Sequence, residues 1–294
     1  MSKKIIVPID FSITSADALK FGCYLADVTG YDLEAVHVYD GYDGDREFIV
    51  MKGSARVRAR VKATLDKFVR VHADAMTFTG MHGAGDTTPM IKTREVISSA
   101  INQLVKQSRR EDVALIVMGG VGTGLSSRVT PVFGSVARSV AMRAACPVLL
   151  IPQVAGVPDI KKAAIAFNEA DALIELSEQT AFLRKALSPK MSFTHVVYPD
   201  EAKEERMELD LMEAMMQDAF PEYYDVDFDL LPPGVVTKTL LRYTEDNAID
   251  LLIMGRHPRN FLTRLLTKSE IAEMLGISGA PVLVIPLSEK DPQV

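Results

Sequence analysis

Along the chain, runs of four to six aliphatic residues alternate with stretches in which apolar positions recur every three or four residues. The first run, Ile5-Ile6-Val7-Pro8-Ile9, stops at Asp10 and reads as a central strand buried on both faces, with Pro8 marking its end or a bulge. Ala18, Phe21, Gly22 and Leu25 follow at helical spacing, behind the cap candidates Ser12, Thr14 and Ser15 and ahead of a stop at Gly30. Residues 33–39 give a second strand. Val57, Val61, Leu65 and Phe68 mark the inner face of a helix beginning near Ser54, whose Arg56, Arg58, Arg60 and Lys62 fall on a solvated side. The pattern predicts a short third strand over 75–79, then an amphipathic helix through Val96, Ile97, Ala100, Ile101, Leu104 and Val105. A buried strand over 114–118, a helix over 136–144 with Ser135 as its N-cap, and a Pro-led strand over 147–151 complete the unit. Strands and helices alternating at these lengths predict an α/β domain with a parallel, doubly wound sheet covered on both faces.

After a turn-rich segment over 153–159 the pattern starts again. Lys161-Lys162 and the following apolar run end at Asn168, as Lys3-Lys4 and their run end at Asp10. Leu173, Leu176, Thr180, Leu183 and Leu187 mark a helix, and His195-Val196-Val197 mirrors His37-Val38. An acidic, Met-rich helix over 201–219, a strand over 225–231 and a helix over 235–247 come next. Residues 250–255 and 281–286 then repeat the last two strands of the first copy. The chain is an internal duplication, with domains expected at 1–153 and 160–288.

The 294 residues suit two such domains, and a net charge of -6 argues against a binder of duplex nucleic acid. No apolar segment reaches the length of a membrane span, and the start of the chain has no signal-peptide core. Cys23 and Cys146 fit no metal or redox spacing and read as buried thiols, so a cytoplasmic protein is expected. No pair of the five histidines has metal-ligand spacing; His82 and His257 lie in loops near the expected crevices. Asp86, Thr87 and Thr88 occupy a second Gly-rich loop of the first copy.

Candidate chemistry centres on the stretch after the fourth strand, where Gly119, Gly120, Gly122 and Gly124 are followed by Gly134-Ser135 and a helix. A glycine loop leading to a helix start can cradle an anion, because unpaired N–H groups and the helix dipole both favour negative charge. No lysine follows the glycines, so this is no Walker A loop. Their G-x-G-x-G spacing after the fourth strand does not match a dinucleotide fingerprint, and G-x-S-x-G is absent.

Five segments in order resemble the universal stress protein family: Ile6-Val7-Pro8-Ile9-Asp10-Phe11-Ser12, His37-Val38, Val117-Met118-Gly119, Gly134-Ser135-Val136 and Pro147-Val148-Leu149-Leu150-Ile151. The resemblance covers nearly the whole chain as a tandem pair. It implies two five-stranded parallel sheets of order 3-2-1-4-5, paired about a pseudo-two-fold axis through their last strands, with a homodimer of the whole chain compatible. It also implies ATP, with Mg²⁺ bound through the phosphates, in the first domain. Asp10 and Val38 would contact base and ribose, flanked by Pro8 and Ile9. Met118, Gly119, Gly122 and Gly124 would form the phosphate loop, and Gly134, Ser135 and Val136 would bind the phosphates.

The family motif is G-x2-G-x9-G-[ST], whereas eleven residues separate Gly122 from Gly134; counting from Gly124 restores nine. The second copy keeps the spacing as Gly255-x2-Pro258-x9-Lys268-Ser269 but loses two glycines. Since the scaffold persists there without them, ligand binding is the expected reason for the glycines of the first copy. No general base or γ-phosphate lysine is evident, so a binding protein with at most slow ATPase activity is expected. Its role would be nucleotide-dependent regulation in a stress response, through protein partners the sequence does not identify. The alternative is a nucleotide-independent interaction module in which both sites are degenerate.

Overall fold

A computed structural model describes residues 3–39, 55–73, 89–120, 134–152, 158–167, 170–197, 227–256 and 278–288. The chain forms two compact units, Met1–Pro158 and Asp159–Val294. In the first, the strands are β1 (Lys4–Pro8), β2 (Asp32–Tyr39), β3 (Ile91–Ile97), β4 (Val113–Gly119) and β5 (Val148–Ile151). All pair in parallel, in the order β3-β2-β1-β4-β5. The helices described are α1 (Ile13–Thr29), α2 (Ala55–Ala73), α3 (Ala100–Gln107) and α4 (Ser135–Ala141). The second unit carries β6 (Lys162–Ala166), α5 (Ala170–Leu187), β7 (Lys190–Val196), β8 (Asp227–Leu231), α6 (Val236–Asp246), β9 (Leu251–Arg256) and β10 (Val282–Pro286). Its parallel order, β8-β7-β6-β9-β10, repeats the first.

Central strands are aliphatic throughout because both faces are covered: Ile5, Ile6, Val7, Leu115, Ile116 and Val117 are all fully buried. Helix α1 starts where Ser12 accepts a hydrogen bond from the Ser15 amide, and it ends at Gly30 with φ 70°. It lies close against the sheet at Gly22, where an added Cβ would come within 2.6 Å of Val7 Cγ2 and 3.1 Å of Leu33 Cδ1. Cys23 and Cys146 are buried, and burial pushes both thiols up to about 12, which makes them inert at neutral pH.

The third strand is a correction. It is the polar segment IKTREVI of β3, and the expected strand over 75–79 lies outside the described residues. Val96 and Ile97 therefore belong to a strand, and the helix expected to include them begins at Ala100. β3 ends the order and keeps its charges at the surface, paired with neighbours. Arg94 reaches Glu34 at 2.5 Å, and Arg58 of α2 reaches Glu95 at 2.8 Å. Lys62, Asp66 and Thr93 are mutually hydrogen-bonded. Two members of the basic run on α2 thus hold that helix to the edge strand. A second correction concerns α4: Gly134 is its N-cap and Ser135 its first residue, with no side-chain cap bond.

At the amino ends of β1 and β4, Asp112 accepts from Arg110 at 2.9 and 3.0 Å and pairs with Lys4 at 3.2 Å. The Arg110 guanidinium first, then the Lys4 ammonium, holds the Asp112 carboxyl at about 2, below its ordinary 3.8. A carboxyl depressed in the folded state contributes stability that is complete above its unfolded value and is lost as pH falls through its folded value. Asp112→Asn should therefore be less stable than the parent near neutrality. In urea titrations the gap should close as pH drops from about 3.8 through about 2; a gap independent of pH would refute the pairing.

Candidate functional site

At the carboxyl ends of β1 and β4 the strand order reverses direction, since β2 and β3 lie on one side and β5 on the other. Doubly wound sheets open a crevice at such a point. Here it is a cavity of about 390 Å³. Its floor is apolar: Pro8 of β1, Val36 and Val38 of β2 and Met118 of β4, with Leu104 and Ala100 of α3 and Val136 and Ala137 of α4 as walls. The rim is polar or bare backbone, from Ile9, Asp10, Thr14, Ser15, Gly119, Gly120, Gly134 and Ser135.

Nine of the eleven residues singled out from the sequence come together on this one cavity: Pro8, Ile9, Asp10, Val38, Met118, Gly119, Gly134, Ser135 and Val136. Gly122 and Gly124 lie outside the described residues, as do His82, Asp86, Thr87, Thr88, Asn168, His257, Pro258, Lys268, Ser269 and the expected helix over 201–219. Sequence reasoning missed Val36, Ala100, Leu104, Ala137, Thr14 and Ser15 as lining, whereas Gly120 of the glycine cluster does line the cavity. Three of those missed had a usable signal. Val36 sits two residues before Val38 on one strand and so shares its face. Thr14 and Ser15 open the helix that follows Asp10.

Asp10 is held by its own turn. Its Oδ1 accepts from the Ser12 amide at 3.0 Å and from the Ser12 hydroxyl. Because that hydroxyl proton goes to Asp10, the Thr14 hydroxyl is the donor in the 2.9 Å contact between Thr14 Oγ1 and Ser12 Oγ. Asp10 Oδ2 has no hydrogen-bond partner among the described residues and is open to a hydroxyl or amine donor.

Gly119 is demanded by packing, which corrects in part the expectation that ligand alone explains it. A Cβ on Gly119 would fall 2.2 Å from Thr14 O and 2.4 Å from Thr14 C, both backbone atoms of α1. The bare backbone at 119 is thus required by the helix start packed over it, whatever the cavity holds. Gly255, its counterpart, is also retained: an added Cβ there meets Leu287 Cδ1 at 2.5 Å. Backbone packing accounts for Gly119, whereas at Gly255 the neighbour is a side chain that can give way.

Register makes the second crevice comparable position by position. Ile9 donates its amide to Val36 O at 2.9 Å, and Phe167 donates to Thr194 O at 3.1 Å. Ala166, Thr194, Val196 and Met254 therefore stand where Pro8, Val36, Val38 and Met118 stand in the first unit. Arg256, only 7% exposed, takes the place of Gly120.

The chain is thus a doubly wound tandem whose first unit carries an apolar-floored, polar-rimmed crevice at the switch point. The family model described as "Universal stress protein family" matches residues 1–152 and 165–286, and the chain belongs to that family, as a tandem. The universal stress protein Slr1230 of a Synechocystis strain is 42% identical over 50 residues, which span only 17% of this chain and 17% of that protein. The crystal structure of a universal stress protein from Archaeoglobus fulgidus superposes with a TM-score of 0.69 at 19% identity, over 97% of this chain and 99% of its own, and shares the fold. A universal stress protein solved in complex with cAMP aligns at 22% identity and a TM-score of 0.36, over 51% of this chain and 97% of its own. Among the described residues no helix is long and apolar enough to cross a membrane.

Proposed function

We propose that the first unit binds an adenine nucleotide, ATP with Mg²⁺ carried on its phosphates, and that nucleotide occupancy governs which proteins this chain engages in a stress response. The observation that carries the reading is the pairing of an apolar floor with a polar rim in one cavity of about 390 Å³, a volume within the range of small-molecule sites. The floor of Pro8, Val36, Val38 and Met118 suits a flat base. Asp10 Oδ2 suits a ribose hydroxyl, and the backbone of Gly119, Gly120 and Gly134 with the Ser135 hydroxyl suits phosphate oxygens. Mg²⁺ would be held chiefly by phosphate oxygens and water, as is usual for that ion.

The second unit is a poor site in this reading, because Arg256 brings a long side chain to the position where Gly120 leaves space, and its crevice would stay empty of nucleotide. The competing reading, a nucleotide-independent interaction module, is favoured by one observation: the need for glycine at 119 is already met by packing. Calorimetric titration with ATP, ADP and AMP separates the two. Binding by the parent chain with Asp10→Ala weaker by about 10- to 100-fold, the size of a hydrogen bond to a charged acceptor, supports the nucleotide reading. No heat with any of the three supports the module.

A further inference from the structure

The turn that carries Asp10 is gripped from the neighbouring strand. His37 of β2 places Nδ1 2.7 Å from the carbonyl oxygen of Ile9. A carbonyl only accepts, so Nδ1 carries the proton and donates it. On the far side of Asp10, Phe11 adopts φ 65°, a left-handed conformation that is costly for a bulky residue and persists only where surroundings hold it. Its ring lies 4.5 Å from the His37 ring and 5.5 Å edge-on from Phe68 of α2, while Tyr39 stacks on His37 at 5.4 Å. One imidazole thus holds the peptide before Asp10 by a hydrogen bond and packs, tilted, against the ring of the residue after it.

The second unit repeats the first half of this device. His195 Nδ1 lies 3.1 Å from the carbonyl oxygen of Phe167, at the same sequence separation, and the two rings are 5.6 Å apart. A histidine closing the end of the first strand is therefore part of the shared scaffold. In the first unit the closed turn presents the rim of the described cavity, through Ile9 and Asp10.

We infer that His37 is a positioning residue for ligand recognition: by donating to Ile9 O and packing on Phe11, it aims the Asp10 carboxylate into the cavity. This rests on the nucleotide reading of the first unit. It makes the histidine at 37 matter for affinity, and the equivalent histidine at 195 matter for stability alone.

The test uses the full chain titrated with ATP in the presence of Mg²⁺, alongside urea denaturation of each variant. His37→Leu removes the donor. His37→Asn restores an amide N–H close to where Nδ1 stood, and His195→Leu is the control in the second unit. His37→Leu should bind about tenfold more weakly, the equivalent of one misaligned hydrogen bond. His37→Asn should return to within about threefold of the parent, and His195→Leu should lose stability while binding as the parent does. If His37→Leu fails to fold, His37→Gln, whose amide sits one bond further out, takes its place with the same expected weakening. Parent-like affinity in the folded donor-free variant, no recovery with asparagine, or equal weakening by His195→Leu overturns the inference while leaving the nucleotide reading intact. A parent chain that binds neither ATP, ADP nor AMP overturns that reading, and the role of His37 with it.

Discussion

Gly119→Ala is expected to destabilise the first unit by about 3 kcal/mol, at the upper end of overpacking costs. The added methyl would stand 2.2 Å from Thr14 O and 3.0 Å from Ser15 N, and backbone at a helix start cannot rotate aside as a side chain can. Relief needs α1 to lift from β4. That movement would also disturb Thr14 and Ser15 on the cavity rim. The matched substitution Gly255→Ala meets Leu287 Cδ1 at 2.5 Å and Leu176 Cδ2 at 3.5 Å, both ends of flexible side chains. It should cost about 1 kcal/mol, the low end of the same range. Hydrogen exchange of the β1 and β4 amides for the first variant, and of the β6 and β9 amides for the second, reads each unit separately. Equal losses would refute the view that helix packing, not ligand, demands Gly119.

Ala100→Trp should abolish ligand binding with little loss of stability. Ala100 is the first residue of α3, half-buried, and lines a wall of the cavity. An indole there occupies a large share of about 390 Å³, which is already near the lower end of the volumes that hold drug-sized ligands. Affinity for ATP should fall by at least about 100-fold, or roughly 2.7 kcal/mol. The apolar floor itself is untouched, so the thermal midpoint should stay near that of the parent. Unchanged affinity in a folded Ala100→Trp chain would mean the nucleotide binds elsewhere.

Much of this was readable in the residues. The aliphatic runs of β1, β4 and β5 and their repeats in β6, β9 and β10 are unambiguous because strands buried on both faces carry no polar alternation. Ser12 and Gly30 delimit α1 by side-chain capping and left-handed geometry that few other residues supply. β3 was not readable. Its Arg94 and Glu95 satisfy their charges laterally, against β2 and α2, so an edge strand looks like a loop. Val96 and Ile97 then fall three to four residues before Ala100 and Ile101, so strand end and helix start merge into one helical pattern, with only Ser98-Ser99 as punctuation.

The site was legible through the resemblance where it rests on strand ends, because register alone brings Pro8, Val38 and Met118 together. Walls supplied by α3 and α4 were not, since which face of a short helix meets the crevice depends on packing. The reason for Gly119 was misassigned for a related cause: a close approach between backbone atoms more than a hundred residues apart leaves no local signal. His37 likewise looked like one more residue of the sheet until its partner, the Ile9 carbonyl, was visible.

Native mass spectrometry of the full chain, titrated with ATP and Mg²⁺ to saturation, tests the central claim most directly. The account predicts one nucleotide per chain, lost in Ala100→Trp and retained in Gly255→Ala. A folded chain that takes up none, or one that takes up two, would contradict it.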